Sequence, residues 1–123
     1  NIDLNRLLIP EGYIILNPQA AAAQKTAAKT ELTAVDIISY CLLAQYLFKL
    51  PIIYIEYSGK LGSLDIVSQI KRHTKGTRLF YGGGITTPEA AYDFAQYADT
   101  IVVGNVVYQQ PELLKSIVEA VKA

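Results

Sequence analysis

Four short apolar runs, rich in β-branched and aromatic residues, punctuate the chain: GYIILN at 12–17, IIYIEY at 52–57, RLFYG at 78–82 and TIVVGN at 100–105. Each is short enough for a strand, and the segments between them carry helical periodicity. Thr33, with Asp36 three residues on, has the form of a capping box, and the stripe behind it is Ile37, Cys41, Ala44 and Phe48. Ile66, Val67 and Ile70 mark the next helix. Thr87, Pro88 and Glu89 supply an N-cap, an N1 proline and a first-turn acid ahead of Ala90, Ala91, Phe94 and Ala95. A last helix is expected from Pro111, burying Leu114, Ile117, Val118 and Val121. Strand and helix alternating four times predict a parallel sheet, because parallel neighbours need crossover connections and those are usually helices.

The class is therefore α/β, as an open doubly wound sheet or as part of a (β/α)8 barrel. A full barrel takes about 250 residues. A chain of 123 would hold four β/α units, a half-barrel, as a single domain over 1–123. Four strands alone leave two unpaired edges, so a homo-oligomer or pairing with an N-terminal half-barrel is expected. The opening NIDLNRLLIPEGY reads as the tail of a helix turning into a strand, as in a chain cut inside a larger protein.

Composition narrows the partners. Eleven basic and eleven acidic residues balance, with a pI near 6.8, so no broad charge footprint for nucleic acid or anionic lipid is expected. No apolar stretch reaches the roughly 20 residues of a membrane helix, and no signal peptide is visible. A single cysteine, Cys41, fits a reducing compartment and the apolar stripe it lies on. The expected location is cytoplasmic.

In parallel α/β proteins, sites lie beyond the C-terminal ends of the strands. The four junctions read NPQ, EYSGKLG, GGGITT and GNVVY. Gly82, Gly83 and Gly84 stand between a strand and an N-cap, where missing side chains let backbone N–H groups approach an anion. Gly104 and Asn105 repeat the arrangement one unit later, and the last two strand ends of a barrel recurrently form one phosphate site. The alternative is that these glycines only serve tight turns. Strand alternation puts Tyr54, Glu56 and Ser58 on one face and Ile53, Ile55 and Tyr57 on the other. A carboxylate beside a phosphate cradle suits substrate hydroxyls, accepting their hydrogen bonds or taking a proton; a salt bridge to a lysine or arginine is the structural alternative. His73 reads as a helix C-terminal cation, and Asp99 falls at the opposite end of the strands. No metal-ligand spacing of His or Cys is present.

YIEYSGKLG, LFYGGGI and ADTIVVGNVVY, in this order and at these separations, resemble the second half of the geranylgeranylglyceryl phosphate synthase family. The resemblance is to its bacterial PcrB branch in particular, the heptaprenylglyceryl phosphate synthases, and it extends to EGYIILNP and TELTAVDIISY. It implies a (β/α)8 TIM-type barrel that transfers a prenyl group from a polyprenyl diphosphate to the free primary hydroxyl of sn-glycerol 1-phosphate, with Mg2+. It further implies that Tyr54, Ile55, Glu56, Tyr57, Ser58, Gly59, Gly84, Gly104 and Asn105 hold the glycerol phosphate, with Glu56 and Tyr54 as the catalytic pair. The family's Mg2+ aspartate and phosphate-binding lysine belong to its first strand, so no metal ligand is expected in this chain. Two other readings remain: a phosphate-binding half-barrel without catalysis, and another phosphate-handling barrel of histidine or tryptophan biosynthesis, which YIEYSG does not suit.

Overall fold

A computed structural model describes residues 8–123. The segment before Leu8, with most of the expected entry from a helix into the first strand, lies outside the described residues. Four strands, β1 (Glu11–Ile15), β2 (Ile52–Glu56), β3 (Arg78–Gly82) and β4 (Thr100–Val102), form one parallel sheet in the order β1-β2-β3-β4. The register aligns Tyr13, Tyr54 and Phe80 in one row, and Ile15, Glu56, Gly82 and Val102 in another.

Helices α1 (Ala21–Thr26), α2 (Ala34–Leu42), α3 (Leu64–His73), α4 (Pro88–Ala95), α5 (Asn105–Gln109) and α6 (Leu113–Lys122) connect and follow the strands. Their starts follow local chemistry. Thr33 and Asp36 make both halves of a capping box, and the Ser63 and Thr87 hydroxyls accept the N–H groups of Ile66 and Ala90. The core lies between the helices and one face of the sheet, where Ile53, Ile55, Leu79, Tyr81, Val67, Ile70, Cys41 and Ile117 are fully buried. Each aliphatic side chain so buried stabilises the fold by about 1.5–3 kcal/mol. The other face, carrying Tyr13, Tyr54 and Phe80, stays partly open.

Several sequence expectations shift. β1 stops at Ile15 rather than residue 17, because the Asn17 side chain accepts the Gln19 N–H and turns the chain; the Leu16 N–H still donates to the Glu56 carbonyl. β2 ends at Glu56, one residue early, although the Tyr57 N–H reaches the Gly82 carbonyl at 2.6 Å. β4 stops at Val102, since Gly104 turns the chain and Asn105 starts α5. The last helix opens at Leu113, and of its expected apolar stripe only Ile117 is buried. Leu114, Val118 and Val121 line a shallow groove with Ile101 and Val103 beside β4, where no described element covers the sheet edge. Phe48 leaves the Ile37–Cys41–Ala44 stripe because α2 loosens into a π-turn over Leu43–Leu47, closed by the Phe48 N–H on the Leu43 carbonyl. The extra residue in that turn rotates Phe48 outward.

Candidate functional site

A cavity of about 290 Å³ opens at the C-terminal end of the sheet, lined by the ends of β2, β3 and β4 and the loops that follow. Both glycine loops meet there: Gly82, Gly83, Gly84, Ile85 and Thr86 from one side, Gly104, Asn105 and Val106 from the other. Tyr54, Ser58 and Gly59 complete the wall toward β2. Of the predicted binding residues, Tyr54, Ser58, Gly59, Gly84, Gly104 and Asn105 therefore share one cavity. Ile55 and Tyr57 do not line it; their side chains belong to the helix-side core.

The glycines differ in what they do. Gly83 and Gly84 have φ of 148° and 62°, and a methyl at Gly84 would run into the backbone of Lys60 and Leu61. That loop is built from glycine because the neighbouring β2–α3 loop lies directly against it. A methyl at Gly104 would meet nothing within 4 Å. Internal packing makes no demand for glycine there. Among the described residues, the N–H groups of Gly84, Ile85, Asn105 and Val106 have no backbone acceptor, and no lysine or arginine lines the cavity. An anion in it can be met by these N–H groups and by the neutral side-chain donors of Tyr54, Ser58, Thr86, Asn105 and Gln109.

Glu56 lies in the same row as Gly82 and Val102, two cavity residues, yet it is only 4% exposed and is itself not part of the lining. Among the described residues, neutral donors meet its carboxylate: the Tyr13 hydroxyl donates to Oε2 at 2.9 Å and the Ser58 N–H to Oε1 at 2.5 Å. Among the described residues, no lysine or arginine makes a salt bridge to Glu56. Tyr54 stacks on Tyr13, with ring centroids 4.6 Å apart. Burial, and then the charge of Glu56, raise the Tyr54 hydroxyl above the usual phenol range, so it stays protonated near neutral pH and can donate.

Sequence reasoning assigned nothing to Tyr13, Asn17 or Tyr81. Tyr81 is fully buried, stacked on Phe94 at 4.1 Å, and its hydroxyl ties two loops by accepting the Gly62 N–H and donating to the Gly83 carbonyl. Burial pushes that hydroxyl up to about 12. The signal for Tyr13 was its place opposite Tyr54, readable only once the register is known. His73 sits in the last turn of α3 against the Gln69 carbonyl, and Cys41 is a core residue whose thiol burial pushes up to about 12. Among the described residues, no three His, Cys, Asp or Glu side chains converge. No described helix is long and apolar enough to cross a membrane.

Several known proteins are similar to this chain. Heptaprenylglyceryl phosphate synthase of Geobacillus kaustophilus is 54% identical over 112 residues, covering 91% of this chain and 47% of that protein. Its counterpart in Lysinibacillus sphaericus is 49% identical over 115 residues, covering 94% and 50%. Among solved structures, (S)-3-O-geranylgeranylglyceryl phosphate synthase from Thermoplasma acidophilum, in complex with its substrate sn-glycerol-1-phosphate, superposes with a TM-score of 0.82 at 33% identity. That match covers 93% of this chain and 49% of the other. The chain thus spans about half the length of the curated relatives it matches, and its four parallel strands correspond to part of a TIM-type barrel. The model of the PcrB family matches residues 2–122, nearly the whole sequence, and the chain belongs to that family.

Proposed function

We propose that this chain is one domain supplying the glycerol-phosphate half-site of a prenylglyceryl phosphate synthase, and that alone it binds the acceptor without catalysing prenyl transfer. The observation that carries the reading is the convergence of both glycine loops, with their unpaired N–H groups, on a cavity bordered by Tyr54 and Ser58.

The phosphate of sn-glycerol 1-phosphate rests on the N–H groups of Gly84, Ile85, Asn105 and Val106. Gly104 has no side chain to hold it off. Tyr54 donates to the glycerol, and Glu56, already held at both oxygens, accepts from the attacking hydroxyl. As that oxygen bonds to the allylic carbon of a polyprenyl diphosphate, the bond from carbon to diphosphate breaks and Glu56 takes the hydroxyl proton. The anchored phosphate keeps the hydroxyl in place, converting an encounter into a positioned reaction. Ile55 and Tyr57 contribute by packing the strand from behind. Mg2+ and the diphosphate site belong to the part of the complete enzyme outside this chain. That part, or a second copy, covers the edges of β1 and β4 that no described strand pairs. A single buried Cys41 suits work in the cytoplasm.

Titration of the purified chain with sn-glycerol 1-phosphate and with inorganic phosphate tests the reading. Saturable binding of both, tighter for the glycerol ester, is expected. A chain that binds phosphate with no preference for the ester is a phosphate module instead. Turnover by the isolated chain with a prenyl diphosphate and Mg2+ contradicts the claim that it is inactive alone.

A further inference from the structure

The hydrogen bonds around Glu56 come from β1 and from the loop that follows β2, and only the loop carries residues given a binding role so far. Tyr13 reaches across from β1 to Oε2 of Glu56 at 2.9 Å. Just past the end of β1, the buried Asn17 donates from Nδ2 to the Ser58 carbonyl at 2.6 Å and accepts the Gln19 N–H at Oδ1. Ser58 is consequently pinned at both ends, its N–H on Glu56 and its carbonyl on Asn17. Gly59 follows with φ of 93°, packed against Asn17, so the loop turns sharply where it begins to line the cavity.

We propose that β1 braces the site: Tyr13 and Asn17 are positioning residues that hold the Glu56 carboxylate and the Ser58–Gly59 turn in the geometry that recognises a polyol phosphate. The proposal rests on the glycerol-phosphate reading of the cavity. A carboxylate has roughly four lone-pair directions. With one donor on each oxygen it cannot rotate freely, and the remaining directions stay fixed for a substrate hydroxyl. The Tyr13 hydroxyl is a dependable donor, because burial and then the adjacent Glu56 keep it protonated well above neutral pH. Asn17 acts at one remove: without its amide, the Ser58 carbonyl loses its partner and the peptide that feeds Glu56 is free to turn.

The test is binding to the 123-residue chain, followed by amide chemical shifts, with sn-glycerol 1-phosphate and inorganic phosphate as probes. Glu56→Gln is the reference variant and should erase the preference for the ester. Tyr13→Phe and Asn17→Ala should each reduce that preference about fivefold, while Tyr13→Phe leaves the affinity for inorganic phosphate unchanged. A merely structural role would weaken both probes together. In Glu56→Gln the Tyr13 phenol, followed by its ring carbon resonance, should also ionise at lower pH. If Tyr13→Phe and Asn17→Ala keep the full preference that Glu56→Gln removes, the brace is wrong and the glycerol-phosphate reading stands. If Glu56→Gln also keeps it, or neither probe binds, both fall.

Discussion

The two ends of the sheet handle polar groups in opposite ways. At the N-terminal end of the strands, partners are found within the chain. Asp99 accepts the Leu79 N–H at 2.8 Å and the Lys71 ammonium at 2.6 Å, Thr77 donates to the Leu50 carbonyl, and Gln45 accepts the N–H groups of Lys75 and Gly76. At the C-terminal end, among the described residues, two loops converge with N–H groups that have no backbone acceptor, and the Glu56 carboxylate is held by neutral donors. A closed end stabilises; the open end is the one we propose takes a ligand. Barrels divide their labour in this way, and the difference here is visible within four strands.

The largest predicted effect comes from the open end, at the one place where it is also structural. Gly84→Ala puts a side chain at φ of 62° and into the Lys60–Leu61 backbone. A loss of about 3 kcal/mol or more is expected in urea unfolding, because the loops must separate to admit it. Stability within 1 kcal/mol of wild type would break the claim that the two loops lean on each other.

Next in size is the closed end. Asp99→Asn should lower stability by about 1 kcal/mol, the half-exposed Lys71 pair counting for little, and leave phosphate binding unchanged. Burial pushes the Asp99 carboxyl up, but the Leu79 N–H and then Lys71 outweigh it, so its folded value lies below the unfolded 3.8. Its contribution is therefore complete above about pH 3.8 and disappears as pH falls through the lower folded value. Acid unfolding of Asp99→Asn should be correspondingly less steep, measured by circular dichroism. Reduced ligand affinity in this variant would blur the distinction between the ends.

The smallest stability change is expected at Gly104. A methyl there meets nothing in the chain, so Gly104→Ala should stay within about 0.5 kcal/mol of wild type. Affinity for glycerol phosphate should nevertheless fall about tenfold, because the methyl enters the space proposed for the phosphate and would hold it off the Asn105 N–H. Unchanged affinity would make Gly104 a turn residue only.

Much of this was legible in the sequence, for reasons that can be named. The four strands, the Thr33 and Thr87 caps and the facing of β2 follow from period and local chemistry, which act within a few residues. What escaped is what depends on distant neighbours. Tyr13 meets Glu56 across 43 positions and Asn17 meets Ser58 across 41, contacts set by strand register. Phe48 left its stripe through a π-turn that no periodicity announces. Leu114, Val118 and Val121 looked like core, and their periodicity is indeed apolar, but no described element lies over them. The glycine loops looked alike in sequence; only the space around each separates Gly84, enclosed by backbone, from Gly104, open to the cavity.

The most direct measurement is a titration of the isotope-labelled chain with sn-glycerol 1-phosphate, read at each backbone amide. Saturable shifts should concentrate on Gly84, Ile85, Asn105 and Val106, with Ser58 following, while Leu79, Lys75 and Gly76 at the far end stay still. Shifts that cluster at the far end, or no saturation at the two glycine loops, would contradict the assignment of the open end as the phosphate-holding half-site.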